Sequence, residues 1–342
     1  MAPSFDPSAA AAPGSGAFGL TDGPGEARVH ILPIPFDATC SFRRGAAGGP
    51  EAIRTASAQV ELHDLVVGRP YEAGIWMAPS PAEVEAWNAE ARALADPILA
   101  AGGPGADTEL LGNAARVDAI QQELEAWLFE RASLALEGGK LLAVVGGDHS
   151  VPLGAIRAHA ERHRDLAVLH FDAHADLRPG YEGFSHSHAS ILHHVARLDP
   201  VSSILQVGVR DLCEEERAAI DGGRIRAVFG TDWAAARLEG RNLRALIRRE
   251  LEPLPRDVYV TFDIDGLDPS LCPNTGTPVP GGLSFDEASA WLEELVRSGR
   301  RIVGFDLCEV APAPGGEAGK GWDEIVGSRL LYRLIGFALG SR

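Results

Sequence analysis

Three titratable residues stand at alternate positions in VLHFDAHADLRPG, residues 168–180: Asp172, His174 and Asp176. In extended backbone alternate side chains point the same way, so all three can face one point. Similar groups recur where other apolar runs end. VVGGDHS carries Asp148 and His149, TFDIDGLDP carries Asp263, Asp265 and Asp268, and FDLCEV carries Asp306 and Glu309. One aspartate at a strand end is usually a turn residue; several strand ends each supplying such groups is harder to read as turn chemistry. Carboxylates this close repel and raise one another's pKa, and a cation removes the conflict. His149, Asp172, His174, Asp176, Asp263 and Asp265 together offer oxygen, two imidazoles and no thiolate. That donor set suits Mn2+, with Fe, Co, Ni or Zn as alternatives. Six side chains exceed the usual need of one ion. Two bridged ions, about 3.5 Å apart as in two-metal hydrolases, fit better.

Such a cluster needs a scaffold that ends several strands side by side. RVHILPI (28–34), LLAVVGG (141–147), LAVLHFD (166–172), SSILQVGV (202–209), VYVTFDID (258–265) and RIVGFDLCEV (301–310) are near-continuous in apolar residues, as strands buried on both faces are. Residues 115–137, 152–163, 188–197, 241–251, 285–298 and 323–339 carry apolar positions at helical spacing. The alternation predicts an α/β fold, a parallel sheet with helices on both faces. In such sheets ligands bind beyond the carboxyl ends of the strands, where the acidic motifs fall. Residues 73–112 interrupt the alternation and are expected to form an inserted surface helix with Gly/Pro-rich flanks. Residues 1–27, rich in Ala, Pro, Gly and Ser, are expected to be a flexible arm or a loosely packed strap before a single domain over 28–342.

The net charge of −17 argues against a nucleic-acid partner, because phosphate binding relies on basic patches. A small cationic ligand or a metal fits the sign better. The four cysteines are scattered without CxxC spacing, which points to reduced thiols and a cytoplasmic setting. The first residues lack the basic and apolar regions of a secretory signal. No apolar run is long enough to span a bilayer, so no membrane partner is expected.

GGDHS, DAHADLR and DIDGLDPSLCPNTGTPVPGGLS resemble the three signatures of the ureohydrolases, the arginase and agmatinase family. PIPFDATCSFRRGAAGGPEAIRTAS (33–57), EVAP and GSRLLYRLIG extend the resemblance over roughly 28–340, except 73–112. The resemblance implies a three-layer α/β/α sandwich around a mostly parallel sheet of about eight strands, assembled as a homotrimer or homohexamer. It implies hydrolysis of a guanidino or formimino carbon at a dinuclear centre, usually of Mn2+. Carried over by motif, His149, Asp172, Asp176 and Asp263 would hold one ion, and His174, Asp172, Asp263 and Asp265 the other. Glu309 matches the carboxylate that pairs with guanidinium nitrogens, and a planar cation suits such a forked pair. In GFSHSHAS (183–190), His188 aligns best with a proton-shuttling histidine, and His186 is the alternative. Asp176 belongs with the catalytic groups as well as the ligands. Asp148 is expected to orient the His149 ring through its other nitrogen, and Asp268 to form a turn. Thr275 and Thr277 are expected to hydrogen-bond near the metals or the substrate. His159, His163, His193 and His194 are read as helix-surface groups.

The substrate follows from two departures from true arginases. The stretch after DAHAD, LRPGYEGFSHS, lacks the Ser/Asn-bearing segment that holds an amino acid's carboxylate, and VGVRDLCEEE places Cys213 where an aspartate would meet the α-amino group. Both weigh against arginine and favour agmatine or a related guanidino-alkyl compound. Guanidine itself, with Ni2+ in place of Mn2+, is the main alternative, followed by guanidinobutyrate, arginine and formiminoglutamate. A metal-binding regulatory relative without turnover is the non-enzyme alternative; it predicts missing ligands, yet all six motif positions are filled.

Overall fold

The computed structural model describes residues 6–12, 14–220, 223–317 and 319–342. In chain order its elements are β1 (Val29–Ile34), α1 (Gly49–Ser57), β2 (Ile75–Met77), α2 (Ala82–Ala100), α3 (Thr108–Glu137), β3 (Leu141–Gly146), α4 (Leu153–Arg162), β4 (Leu166–Phe171), α5 (Ile191–Val195), β5 (Val201–Val207), α6 (Glu214–Ile220), β6 (Ile225–Val228), α7 (Gly230–Leu238), α8 (Leu243–Leu251), β7 (Asp257–Phe262), α9 (Phe285–Arg297), β8 (Arg301–Leu307) and α10 (Trp322–Gly340). The strands form one eight-stranded sheet in the order β2-β1-β3-β8-β7-β4-β5-β6. Every neighbouring pair is parallel.

The apolar runs predicted as strands are buried on both faces, which makes a three-layer sandwich. Val29, Ile31, Leu141, Ala143, Ala167, Leu169, Val258 and Val260 share a core with Ile53 of α1, Trp233 of α7, Ile247 of α8, Trp291 of α9 and Leu330 of α10. On the other face Leu142 and Val144 pack with Val117 and Leu124 of α3 and Ala155 of α4. Leu166, Val168, Ile204 and Tyr259 pack there with Ile156 and Ile191. Each fully buried Leu, Ile or Phe contributes about 1.5–3 kcal/mol.

The segment 73–112 is more than a surface insert. It supplies β2, whose Ile75 pairs with Val29, and α2, whose Val84, Ala91 and Ile98 are buried. A three-residue edge strand makes too short an apolar run to stand out. Helix α3 begins at Thr108, earlier than its apolar spacing indicated, because Asp107 caps it by accepting from the Glu109 and Leu110 N–H groups. Of the arm, residues 1–5 and 13 lie outside the described residues. Ala17, Phe18 and Leu20 are buried, with the Phe18 ring 4.9 Å from that of Tyr332 and its N–H donating to the Ser57 hydroxyl at 2.8 Å. His159 is not a surface group. Its Nδ1 meets the Ala155 carbonyl at 2.8 Å, its ring lies 5.0 Å from Tyr259, and a Cβ on Gly304 would fall 2.2 Å from its Nε2. His163, at the end of α4, pairs with Asp257 at 2.7 Å.

Candidate metal centre and substrate cavity

Strands β3, β8, β7 and β4 are consecutive in the sheet, and each ends in one of the acidic motifs. The chain leaves β3 through Gly147, where a Cβ would stand 1.9 Å from the Phe36 carbonyl oxygen; only glycine permits that approach. His149 follows, wholly buried. Its Nε2 lies 2.8 Å from the Thr261 hydroxyl, which donates to Asp306 Oδ1 at 2.9 Å. The hydroxyl proton being spent on Asp306, the hydroxyl accepts from Nε2–H, so in the neutral ring it is Nδ1 that carries the lone pair. That lone pair faces Asp172 Oδ2 at 3.0 Å, Asp176 Oδ2 at 3.3 Å and Asp263 Oδ2 at 3.5 Å. Asp306, acting through Thr261, orients the ring. Asp148 does not; its oxygens are taken by Thr39 and Ser150.

The second half of the cluster gathers on His174, whose Nδ1 lies 3.3 Å from Asp172 Oδ1 and 3.1 Å from Asp265 Oδ2. Asp265 also accepts from the Ala173 N–H, which ties the two post-strand loops together, and Asp263 accepts from the Asp265 N–H within its own loop. All six predicted ligand residues therefore converge, with Asp172 reaching both histidines. The ligand-capable atoms of His149, His170, Asp172 and Asp176 lie within 4.8 Å of one another, as do those of Asp172, His174 and Asp265, and of His149, Asp306 and Cys308.

The electrostatics are those of crowded acids. Burial, with Asp265 and Asp172 alongside, pushes the Asp263 carboxyl well above its ordinary range. Burial and Asp172 push Asp176 up to about 7. Against the opposing effect of burial, Asp172 and Asp176 hold the His149 imidazolium well above its usual pKa, and Asp265 and Asp172 raise His174 to about 12. Full ionisation of the acids requires added positive charge in their midst. Asp176 (φ 54°) and Glu309 (φ 62°) both hold left-handed backbone, a strain of about 1–3 kcal/mol each that clusters at functional sites.

Glu309 emerges from β8 beside this cluster. Its Oε1 accepts from the His149 N–H at 3.0 Å, while Oε2 is buried and has no hydrogen-bond partner among the described residues. Burial and Asp148 push its carboxyl well above the usual range. A cavity of ≈ 320 Å³ opens next to the centre, lined by His174, Asp176, His188 and Thr277 and also by Phe42, Tyr181, Leu212, Pro278 and Val279. The His188 backbone N–H donates to the Thr39 hydroxyl at 3.2 Å, and its Nε2 is 3.4 Å from the Ser41 hydroxyl. Burial and the neighbouring His174 lower its pKa to about 4. His186 does not line this cavity; its ring stacks on His194 at 4.4 Å. Thr277 stands 3.5 Å from Asp265 Oδ2, and Thr275 bonds the Glu309 carbonyl.

Some residues of the site were not anticipated. Cys213, read as the position facing a substrate's amino end, does not line the cavity; Asp211 of the same loop and Glu216 of α6 do. His170 and Gln206 sit behind Asp172. A signal for His170 existed, since it lies two positions before Asp172 in the same strand and so on the same face.

The sequence model of the arginase family matches residues 27–335. This chain belongs to the arginase family. The protein is 35% identical over 322 residues to the N(1)-aminopropylagmatine ureohydrolase of Thermus thermophilus, covering 93% of each chain. It is 33% identical to the agmatinase of Chromobacterium violaceum, over 83% of this chain and 76% of that one. Its fold superposes on the proclavaminate amidino hydrolase of Streptomyces clavuligerus with a TM-score of 0.71 at 25% identity, covering 98% and 100% of the two chains. This arginase-family protein is accordingly a hydrolase of guanidino C–N bonds, a ureohydrolase. Among its described residues no helix is long and apolar enough to cross a membrane.

Proposed function

We propose that the protein hydrolyses agmatine, or a closely related guanidino-alkyl amine, to urea and the free amine at a pair of divalent ions, Mn2+ in the first place. The observation that carries this reading is the sharing of Asp172 between two histidines, 3.0 Å from His149 Nδ1 and 3.3 Å from His174 Nδ1, with one further buried aspartate or more facing each. His149, Asp172, Asp176 and Asp263 would hold one ion, and His174, Asp172, Asp263 and Asp265 the other. Bound there, the pair supplies a water acidic enough to serve as hydroxide near neutral pH.

The remaining work falls to the chain's own side chains. Glu309 Oε2, buried and unpaired, accepts N–H groups of the guanidinium and fixes its plane, while Oε1 stays tied to the His149 N–H. Thr277 adds a polar contact on the cavity wall beside Asp265. His188 is neutral at pH 7, so it takes up a proton only in passing and hands it to the leaving nitrogen as the C–N bond breaks. The oxygen of the water ends in urea, and both of its protons end on the leaving nitrogen, which departs as the ammonium. Among the residues lining the cavity, Phe42, Tyr181, Leu212, Pro278 and Val279 offer apolar surface that suits a methylene chain. A cavity of ≈ 320 Å³ is far larger than guanidine alone would fill. The names of the relatives, an agmatinase and an aminopropylagmatine ureohydrolase, support a substrate without an amino-acid head.

The test is urea release from guanidine, agmatine, guanidinobutyrate, arginine and formiminoglutamate, each with Mn2+ and with Ni2+. Agmatine with Mn2+ is expected to react fastest, and arginine at least a hundredfold more slowly in kcat/KM. Preference for guanidine or arginine would overturn the substrate, and urea from none of them would overturn the activity.

A further inference from the structure

His170 is one residue from the end of β4 and wholly buried, and nothing in the proposed reaction uses it. Its Nε2 lies 2.9 Å from Asp172 Oδ2, and its Nδ1 lies 3.0 Å from Nε2 of Gln206, its register partner on β5. Gln206 is buried too, and the same amide nitrogen donates to the Ala175 carbonyl at 2.7 Å. A carbonyl oxygen only accepts, so Ala175 fixes which end of the amide points inward: it must be the NH2. That NH2 then donates its second proton to His170 Nδ1, which must hold the lone pair. The ring proton is therefore on Nε2, and it is donated to Asp172.

Two consequences follow from this proton inventory. His170 has no lone pair left for an ion, although its Nε2 lies within ligand range of His149, Asp172 and Asp176. And with His149 and His174 deprotonated, as ligands of an ion must be, each oxygen of Asp172 keeps one donor among the described residues. Oδ1 accepts from the His174 N–H at 2.6 Å, and Oδ2 accepts from His170. A carboxylate oxygen has two lone pairs. One remains on Oδ1, on the side of His174 Nδ1, and one on Oδ2, on the side of His149 Nδ1.

We propose that His170, its tautomer set by Gln206, is a positioning residue that turns Asp172 so that one oxygen serves each of two divalent-ion subsites. This rests on the dinuclear centre proposed above. Without the Nε2–H donor the Asp172 carboxylate is free to rotate about its last bond and to chelate one ion with both oxygens, at the expense of the other.

Equilibrium dialysis of the full chain against Mn2+ tests this without reference to turnover. The wild type is expected to take up two ions. His170→Leu is expected to bind one of them 10- to 100-fold more weakly, the usual effect of losing such a partner. His170→Gln, whose amide nitrogen reaches as far as the imidazole Nε2, is expected to stay within a few-fold of wild type. His170→Asn, whose nitrogen matches the Nδ1 position instead, is expected to resemble the leucine variant. Gln206→Met, which frees the tautomer, is expected to fall between. A leucine variant with wild-type circular dichroism and both ions at wild-type affinity would overturn the proposal. Should the leucine variant not fold, asparagine binding as well as glutamine would overturn it equally. A wild type that takes up no more than one ion defeats the dinuclear centre itself, and this proposal with it.

Discussion

In the proposed reaction Glu309 and His174 carry two separate jobs, one for the substrate and one for the metal. Glu309 holds strained backbone and keeps one buried oxygen without a partner, which is the state of a group waiting for a cationic ligand. A hydrogen bond to a charged partner is worth about 1.5–3 kcal/mol, so Glu309→Ala is expected to lower kcat/KM by roughly 10- to 150-fold and to leave metal content intact. His174→Ala is expected to lose both metal and turnover. Metal analysis beside steady-state kinetics checks the pair; normal turnover in either variant contradicts its role. The convergence of the six candidate ligand residues was legible in the sequence because alternate spacing and strand ends are local signals. Their supports were not. His149 is backed by Thr261, 112 residues away, and through it by Asp306, rather than by the adjacent Asp148. Only the fold brings such partners together.

At the level of elements, the long central strands were plain and the short ones were not. β2 has three residues and β6 four, too few for a periodic or continuous apolar signal. The small helices α6 and α7, which flank β6, also went unread for want of a clear apolar face. The His159/His163 pair misled in the other direction, since helical spacing alone does not say which face of α4 meets the sheet. His159 in fact points into the sheet against Tyr259 and Gly304. Burial lowers its pKa to about 4, against about 6.5 in an unfolded chain. The sign follows directly. Above pH ~6.5 both states are neutral and the packing of α4 is unpenalised. As pH falls from there to about 4, the unfolded chain takes the proton first, and roughly 3 kcal/mol of stability is lost. His159→Met lacks that proton. Urea unfolding of the metal-free proteins should therefore show wild type losing stability relative to the variant between pH 7 and 4.5. An unchanged difference across that range would contradict the burial of a neutral ring.

For the whole molecule, the informative feature is where the acidity sits. The net charge of −17 is mostly a solvated surface, but a compact part of it is buried at the carboxyl ends of four adjacent strands, β3, β8, β7 and β4. Central strands of a large parallel sheet are the least yielding part of such a fold, which gives ligands fixed directions. The apolar wall of the cavity is carried by the loops after β4, β5 and β7 and by the β1–α1 connection, so under the proposed function loops would read the substrate's chain length and end group while the sheet holds the chemistry. Net charge and motif order gave this division in outline. They did not give the cavity walls, because Phe42, Tyr181, Leu212 and Val279 come from four separate loops with no shared pattern. The most direct measurement of the central claim is a crystal structure grown with Mn2+ and recorded at the manganese absorption edge. Two anomalous peaks about 3.5 Å apart are expected, one beside His149 and one beside His174, with Asp172 between them. No peak at these residues, or one lone peak, would contradict it.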